Sequence, residues 1–312
     1  MNAIEIKDLS KKFIISHEKR TTLFEYISSF IKRKYSYEEI WALRDINLKV
    51  KQGECLGIIG PNGSGKTTLL RVLANVLQPT TGKVIVNGKI MPLIELGLGF
   101  HSELTGKENV YLYGSILGLS KKEIKDKINK IFGFAQIEKY VDAKLKNYSS
   151  GMIMRLGFAT SIFTNPDILL VDEVLSVGDT SFQRKSLDKM KEFKEKGKTI
   201  VFVSHSLLQI KLVCDRAILL NHGGIEKQGK TDTVVDYYEG KVYLEDGKWI
   251  KEELKRKRNE LSILKEKDKI MQVKEDIFEL SESLVRLIRS ATEETKDPKL
   301  KRKLIGELKE AL

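Results

Sequence analysis

Residues Gly60-Pro61-Asn62-Gly63-Ser64-Gly65-Lys66-Thr67 meet every fixed position of the pattern G-x-x-x-x-G-K-[ST], and no other stretch restricts the fold so tightly. Such a loop works only where a strand delivers the chain and a helix carries it away. Here the apolar run Cys55 to Ile59 predicts a buried strand just before it. Thr67 to Leu77 has helical periodicity just after it, and Pro79-Thr80-Thr81-Gly82 stops that helix. The glycines let the backbone wrap an anion and aim N–H groups at it, while the helix N-terminus adds partial positive charge. In this setting Lys66 is expected to reach the β- and γ-phosphates of a nucleoside triphosphate, and the Thr67 hydroxyl to ligate Mg²⁺.

Strands alternate with helical patterns along much of the chain. Ile4 to Leu9 and Ile46 to Val50 alternate in hydrophobicity, and Lys83 to Asn87 gives another strand. Apolar runs at Ile168–Val171, Thr199–Val203 and Ala217–Leu220 read as further strands, whereas Leu104 to Ile162 is helical and interrupted by loops. The order predicts an α/β domain with a mostly parallel sheet covered on both faces and a helical insertion in its middle. A chain of 312 residues has room for that domain and an appendage. The appendage is expected from about residue 244. There Lys248 to Ser290 becomes dense in charge, lacks proline, and spaces Leu254, Leu261, Leu264, Met271, Ile277, Leu284 and Leu287 at roughly helical intervals. Asp297-Pro298 breaks this pattern, and Leu300, Leu304, Ile305 and Leu308 suggest one more amphipathic helix. No apolar run approaches the roughly 20 residues of a membrane span, and no signal peptide is expected at the start. Cys55 and Cys214 lack metal spacing and are expected to be buried thiols of a reducing cytoplasm.

Two further features bear on phosphate chemistry. The strand Ile168–Val171 ends in the paired carboxylates Asp172 and Glu173. Asp172 is expected to hold the Mg²⁺ shell and Glu173 to polarise an attacking water, a contribution of roughly 10²–10⁴ in rate. His205 follows the strand Ile200–Val203 through Ser204, at the strand end where open α/β sheets bind ligands. From there it can contact the γ-phosphate and orient the water.

In order, the phosphate loop, the helical insertion, Tyr148-Ser149-Ser150-Gly151-Met152, Asp172-Glu173, Ser176-Val177-Gly178-Asp179 and Ser204-His205 resemble the ATP-binding-cassette family. The resemblance covers about residues 3–240. It implies a P-loop ATPase with a mostly parallel sheet core, an antiparallel β subdomain and a helical subdomain at about 95–163; the charged helical extension over 245–312, read from its own periodicity, lies beyond the resemblance and departs from its longer members. It implies ATP and Mg²⁺ as ligands, with Gly60 through Thr67 and the adjoining Thr68 at the phosphates. Ser149 and Gly151 match the serine and second glycine of the family signature, which contact ATP held on the opposite subunit. Asp179 matches the aspartate that couples the two sites, and Phe13 stands where an aromatic ring stacks on adenine, with Trp41 as the competing candidate. The signature departs from the family in Tyr148 for leucine, Ser150 for the first glycine and Met152 for glutamine. A second glutamine, which senses Mg²⁺ and the membrane subunit, has its nearest match in Glu95. These departures, the run Glu95 to Val110 and the run Asp172 to Gln183 resemble the exporters of lipid-linked polysaccharides, among them O-antigen, some capsules and teichoic acids.

Two appendages stand apart from a minimal cassette. Within 16–40, Thr22 and Glu25 form a capping box, Leu23, Phe24, Ile27, Phe30 and Ile31 share one helical face, and Lys32-Arg33-Lys34 closes the helix. A helix packed on its own domain stays open, but the resemblance to the polysaccharide exporters implies a place at the membrane surface, with residues 22–34 touching the permease or an entering lipid head group. In the tail, Lys257 and Asp268 interrupt a coiled-coil seam, which leaves both a solvated helical pair and a dimerising or partner-binding element open. The net charge of +12 suits a polyanionic neighbour such as nucleotide, nucleic acid or an anionic leaflet. The expected function is the ATP-hydrolysing subunit of a polysaccharide exporter. It would lie peripherally on the cytoplasmic face of the inner membrane, pairing head to tail with a second copy and docking on a separate transmembrane permease. A soluble cassette ATPase acting on nucleic acid or ribosomes is the alternative, but the chain has neither a fused second cassette nor a long inserted coiled coil. An importer or drug-efflux cassette is disfavoured by the N-terminal helix and the Glu95 region.

Overall fold

The structure, a computed structural model, describes residues 1–16, 37–94, 96–172, 179–263 and 267–294, with isolated positions beyond. The two alternating patterns near the start grow into long strands, β1 (Asn2–Ser16) and β2 (Tyr37–Lys51), paired antiparallel from Asn2↔Lys51 to Ser16↔Tyr37. Their inner halves bury Ile4, Ile6 and Leu9 against Ile46, Leu48 and Val50. A third strand, β4 (Thr81–Val86), lies on the other side of β1 but reaches no further than Ser10. Beyond that point β1 and β2 continue as a two-stranded ribbon with Ile14, Tyr37 and Ile40 exposed. The ends of the expected insertion are therefore strand: Ser16 and Tyr37 to Ile40 belong to the ribbon. The capped helix of Thr22, Glu25 and Lys32-Arg33-Lys34 lies outside the described residues.

The larger sheet has six strands in the order β5-β6-β7-β3-β8-β9, here β5 (Ile90–Leu93), β6 (Ile168–Asp172), β7 (Thr199–Val203), β3 (Cys55–Ile59), β8 (Arg216–Asn221) and β9 (Gly224–Lys230). The contacts from β5 through β8 are parallel. A two-residue turn joins β8 to β9. Strands β3 and β7 are buried at every position, which is why their sequences are unbroken apolar runs rather than alternating ones. α1 (Lys66–Leu73) packs Leu69, Leu70 and Leu73 into the core shared by the two sheets. A second core holds α2 (Gly106–Ile116), α3 (Lys121–Ala135) and α4 (Ser150–Ile162) together through Val110, Ile124, Ile131, Phe132 and Leu156. α5 (Thr180–Glu195) and α6 (Leu207–Val213) complete the α/β unit. This is the parallel core, antiparallel β subdomain and helical subdomain expected.

The chain divides into two compact units, Met1–Gln228 and Gly229–Leu312. The second contains α7 (Thr231–Ile263) and α8 (Lys267–Glu294), so helix begins upstream of residue 244. Ile250 and Leu254 of α7 pack on Leu284 and Ala291 of α8, giving a helical hairpin. Lys257, which breaks the apolar seam in sequence, reaches Asp276 across the pair at 2.7 Å. Of the last predicted helix, Leu300, Leu304 and Leu308 lie outside the described residues, while Lys301, Arg302, Ile305 and Gly306 are helical.

Candidate nucleotide site

The phosphate loop leaves β3 at Gly60, whose φ of +146° and tight surroundings admit no side chain: a Cβ there would lie 2.1 Å from the Leu220 carbonyl oxygen. The loop is thereby pressed against β8. The Lys66 ammonium is buried beneath it and donates to the Gly60 and Pro61 carbonyls at 2.8 and 2.9 Å. Asn62 to Thr68 then line a cleft of about 210 Å³ together with Ala42 and His205. The volume suits phosphates rather than a whole nucleotide, since sites for whole ligands run to roughly 300–1,000 Å³. Within this lining the Ser64 hydroxyl is buried and makes no hydrogen bond among the described residues, a polar group placed for an anionic ligand. Thr67 stands exposed at the start of α1, where its hydroxyl is accessible to a cation beside the phosphates.

Strand order explains why His205 reaches this cleft. β7 lies between β6 and β3, all three parallel, so their carboxyl ends share one edge. That edge presents the phosphate loop from β3, Ser204-His205 from β7 and Asp172 from β6, with Asp172 paired to Val203. Ser204 pins the turn after β7. Its buried hydroxyl accepts from the Ser206 N–H at 3.1 Å and donates to Gln209 Oε1 at 3.0 Å. Glu173 and Glu95 lie outside the described residues. Phe13 pairs with Ile40 and Trp41 with Lys12, so the two aromatic candidates occupy opposite faces of the ribbon. Each carries a lysine over its ring, Lys11 at 5.3 Å from Phe13 and Lys12 at 5.5 Å from Trp41.

The signature segment is a helix cap. Ser149 is exposed and accepts the Met152 N–H at 3.2 Å, which opens the N-terminus of α4 outward with Ser150 and Gly151 in its first turn. Tyr148, the departure from leucine, anchors the segment. Its ring is buried, its hydroxyl donates to the Tyr140 carbonyl at 2.5 Å, and burial pushes its pKa up to about 12. Asp179 caps α5 by accepting the Phe182 N–H at 2.9 Å and also takes Arg155 Nη2 of α4 at 2.9 Å. The backbone N–H first, and then Arg155, hold the Asp179 carboxyl below its ordinary range. Sequence reasoning missed Arg155. Its place in the first turns after the signature was visible, but not its partner 24 positions away.

The run from Leu96 to Asn109 forms the joint between this helix and the loop after β5. Gly157 of α4 approaches so closely that a Cβ there would lie 2.8 Å from the Gly97 nitrogen. Further along, Thr105 and Glu108 form a reciprocal capping box on α2. Asn109 is completely buried. It accepts the His101 N–H at 2.7 Å and donates to the His101, Leu104 and Thr105 carbonyls at 3.0, 3.1 and 2.9 Å. The Thr105-Gly106-Lys107-Glu108-Asn109 run is thus a cap plus a loop clamp.

With this geometry in view, likeness to known proteins is specific. A family model described as ABC transporter matches residues 43–176. A teichoic acids export ATP-binding protein, TagH, of Listeria monocytogenes is 41% identical over 250 residues, covering 80% of this chain and 72% of that relative. An O-antigen export system ATP-binding protein, RfbB, of Klebsiella pneumoniae is 40% identical over 228 residues, covering 73% and 89%. Against two other curated relatives the chain spans 66% and 58% of their length. Among solved structures, a dimeric post-hydrolysis state of an ATP-binding cassette bound to ADP and Pi superposes with a TM-score of 0.59 at 25% identity. That match covers 73% of this chain and 98% of the other.

Proposed function

The chain belongs to the ABC transporter family, and on that premise we propose that it is the ATP-hydrolysing subunit of an exporter of a lipid-linked polysaccharide. The observation that carries the ATPase part is the convergence of the phosphate loop, His205 and Asp172 on one carboxyl edge of a parallel sheet. The export part rests on the identity to teichoic acid and O-antigen export proteins. The export proteins named above give no support to the nucleic-acid alternative, and the +12 charge is assigned instead to nucleotide and an anionic leaflet.

In this reading Gly60 to Thr68 cradle the triphosphate, Lys66 turns its ammonium to the β- and γ-oxygens, and Phe13 or Trp41 stacks on the base. Mg²⁺, when bound, neutralises phosphate charge, held by Thr67 and Asp172 with Glu95 as the nearest replacement for the sensing glutamine. Glu173 takes a proton from the attacking water while His205 orients it on the γ-phosphate. Ser149 and Gly151 project from their own chain at an exposed helix N-terminus, which suits the γ-phosphate bound to a second copy. Asp179 couples the paired sites, and its bond to Arg155 ties it to the signature helix. Two copies would close head to tail, and the 95–100 region would pass the motion to a separate permease. The nucleotide-binding part would run to about residue 244, with residues 22–34 near lipid head groups. Among the described residues no helix is long and apolar enough to cross a membrane, so the permease would supply the path, with this chain on its cytoplasmic face.

Glu173→Gln tests the assignment. It should abolish steady-state turnover while stabilising an ATP-bound dimer in sedimentation. Wild-type turnover in that variant would remove Glu173 from the water-activating role.

A further inference from the structure

Gly57 is the middle residue of β3 and has no side chain to hold a helix away. A Cβ there would lie 2.9 Å from Ile210 Cγ2 and 3.2 Å from Cys214 Sγ, so α6 lies directly on the strand. Residues two apart on a strand share a face, which puts Cys55 beside Gly57 under the same helix. Cys214, the C-cap of α6, therefore meets a residue 159 positions away: the Cys55 thiol donates to Cys214 Sγ at 3.6 Å, and both are buried. The backbone around the pair is fixed independently. The Asp215 N–H donates to the Cys55 carbonyl at 2.8 Å, the Cys55 N–H donates to Asp215 Oδ2 at 3.0 Å, and β8 runs on beside β3 from Leu56↔Arg216. The chain passing Cys55 is thus at strand spacing, about 4.7–4.9 Å, within the roughly 4.4–6.8 Å between Cα atoms that a disulfide spans. The sulfurs, 3.6 Å apart, need close by only about 1.6 Å to reach a bond of about 2.0 Å.

We propose that Cys55 and Cys214 form a site of oxidative modification, closing under peroxide into a disulfide that staples the end of α6 to the start of β3. One sulfur gives its electron pair to a peroxide oxygen, the O–O bond breaks, and a sulfenic acid and water form. The other sulfur attacks the sulfenic sulfur, the S–S bond forms, and a second water leaves with the remaining thiol proton. Two electrons pass from the pair to the peroxide, and nothing else is consumed. Where the surroundings are reducing, the pair rests as thiols. The hydrogen bond from Cys55 and then burial hold the Cys214 thiol above its ordinary pKa, so thiolate is scarce and the first step is slow. The same burial shields the finished bond from reducing thiols. About 17 Å of strand separates Cys55 from the phosphate loop, so the staple braces the Met1–Gln228 unit without touching the nucleotide. The proposal is independent of the export reading.

The test exposes the full folded chain to hydrogen peroxide, then unfolds it in guanidinium with an alkylating agent. Mass spectrometry should find peptides joined through Cys55 and Cys214, with neither thiol alkylated and both recovered after dithiothreitol. The thermal midpoint should rise by about 5 °C or more and return with dithiothreitol, which leaves methionine sulfoxide in place and so separates the staple from methionine oxidation. Cys214→Ala should abolish both the linked peptides and the reversible rise. Cys55→Ala should do the same from the strand side, so a folding failure in one variant leaves the other to report. Two alkylatable thiols after peroxide, or oxidation of either that ends at sulfinic acid, would overturn the proposal. So would linked peptides that join two copies of the chain, or a bond that lowers the midpoint.

Discussion

Asn109→Ala should destabilise the Met1–Gln228 unit by about 2–4 kcal/mol, and the structure shows where that figure comes from. The three carbonyls that the Asn109 amide serves each keep a backbone donor. His101 O accepts from Leu104 N at 3.2 Å, Leu104 O from Leu145 N at 2.9 Å, and Thr105 O from Asn109 N at 2.9 Å. Their loss is therefore partial. Among the described residues the His101 N–H donates only to Asn109 Oδ1, and stranding this half-buried donor costs about 1–3 kcal/mol. The remaining shared bonds and the small void account for about 1 kcal/mol more. Urea denaturation of the purified chain, with the midpoint shifted and the slope unchanged, is the direct measurement. Asn109→Asp keeps an acceptor for His101 but turns an anion toward three carbonyls, and at neutral pH it should lose at least as much. A loss below about 0.5 kcal/mol for both variants would refute the clamp, showing that the capping box and the backbone bonds hold residues 101–105 by themselves.

Ser149→Ala removes the cap of α4, which should cost about 0.5–2 kcal/mol in the same denaturation assay and also weaken ATP-driven dimerisation. Ser149→Asp should restore the stability and not the dimerisation, because a carboxylate caps the helix but repels a phosphate. The Asp179 carboxyl has a lowered native pKa, so its stabilising contribution is present above the ordinary aspartate pKa and is lost as pH falls through the native value. Asp179→Asn should accordingly flatten the acid side of a thermal-stability profile below about pH 4 and leave the neutral region with a constant offset. Phe24→Glu with Ile27→Glu should impair polysaccharide export in cells while largely sparing ATP turnover of the isolated chain. Unchanged export would end the proposed membrane role of residues 22–34.

What could be read in advance follows from how local each signal is. The phosphate loop was legible because its chemistry demands fixed residues at fixed spacing, and β3, β6 and β7 because burial on both faces leaves no choice but apolar runs. β5 was not, since Pro92 interrupts a four-residue strand and is tolerated only because that strand is at the sheet edge. The outer ribbon of β1 and β2 was missed for a different reason: with neither face fully buried, Lys11 to Ser16 lacks the alternation that marks a strand. The site divides along the same line. The Thr105–Glu108 box is written in four consecutive residues, whereas the Asn109 clamp, the Arg155–Asp179 bond and the Lys257–Asp276 pair each depend on how segments meet. Lys257 is the plainest case, a charge that reads as a defect in the seam until its partner on the facing helix is known.

The close approach at Gly157 has a mechanical consequence. It is a pivot about three-fifths of the way along the rod of α4 from the Ser149 cap, which moves with the helical core that holds Tyr148. Eight residues separate the two, about 12 Å of helix. A push on the Leu96–Gly97 loop that tilts the rod by some ten degrees therefore sweeps the cap through about 2 Å, the difference between a hydrogen bond made and one broken. Because the contact is almost wholly backbone against backbone, with only the Leu96 Cβ as an added side-chain neighbour, little of the push is absorbed on the way, and any side chain at position 157 would force the two segments apart.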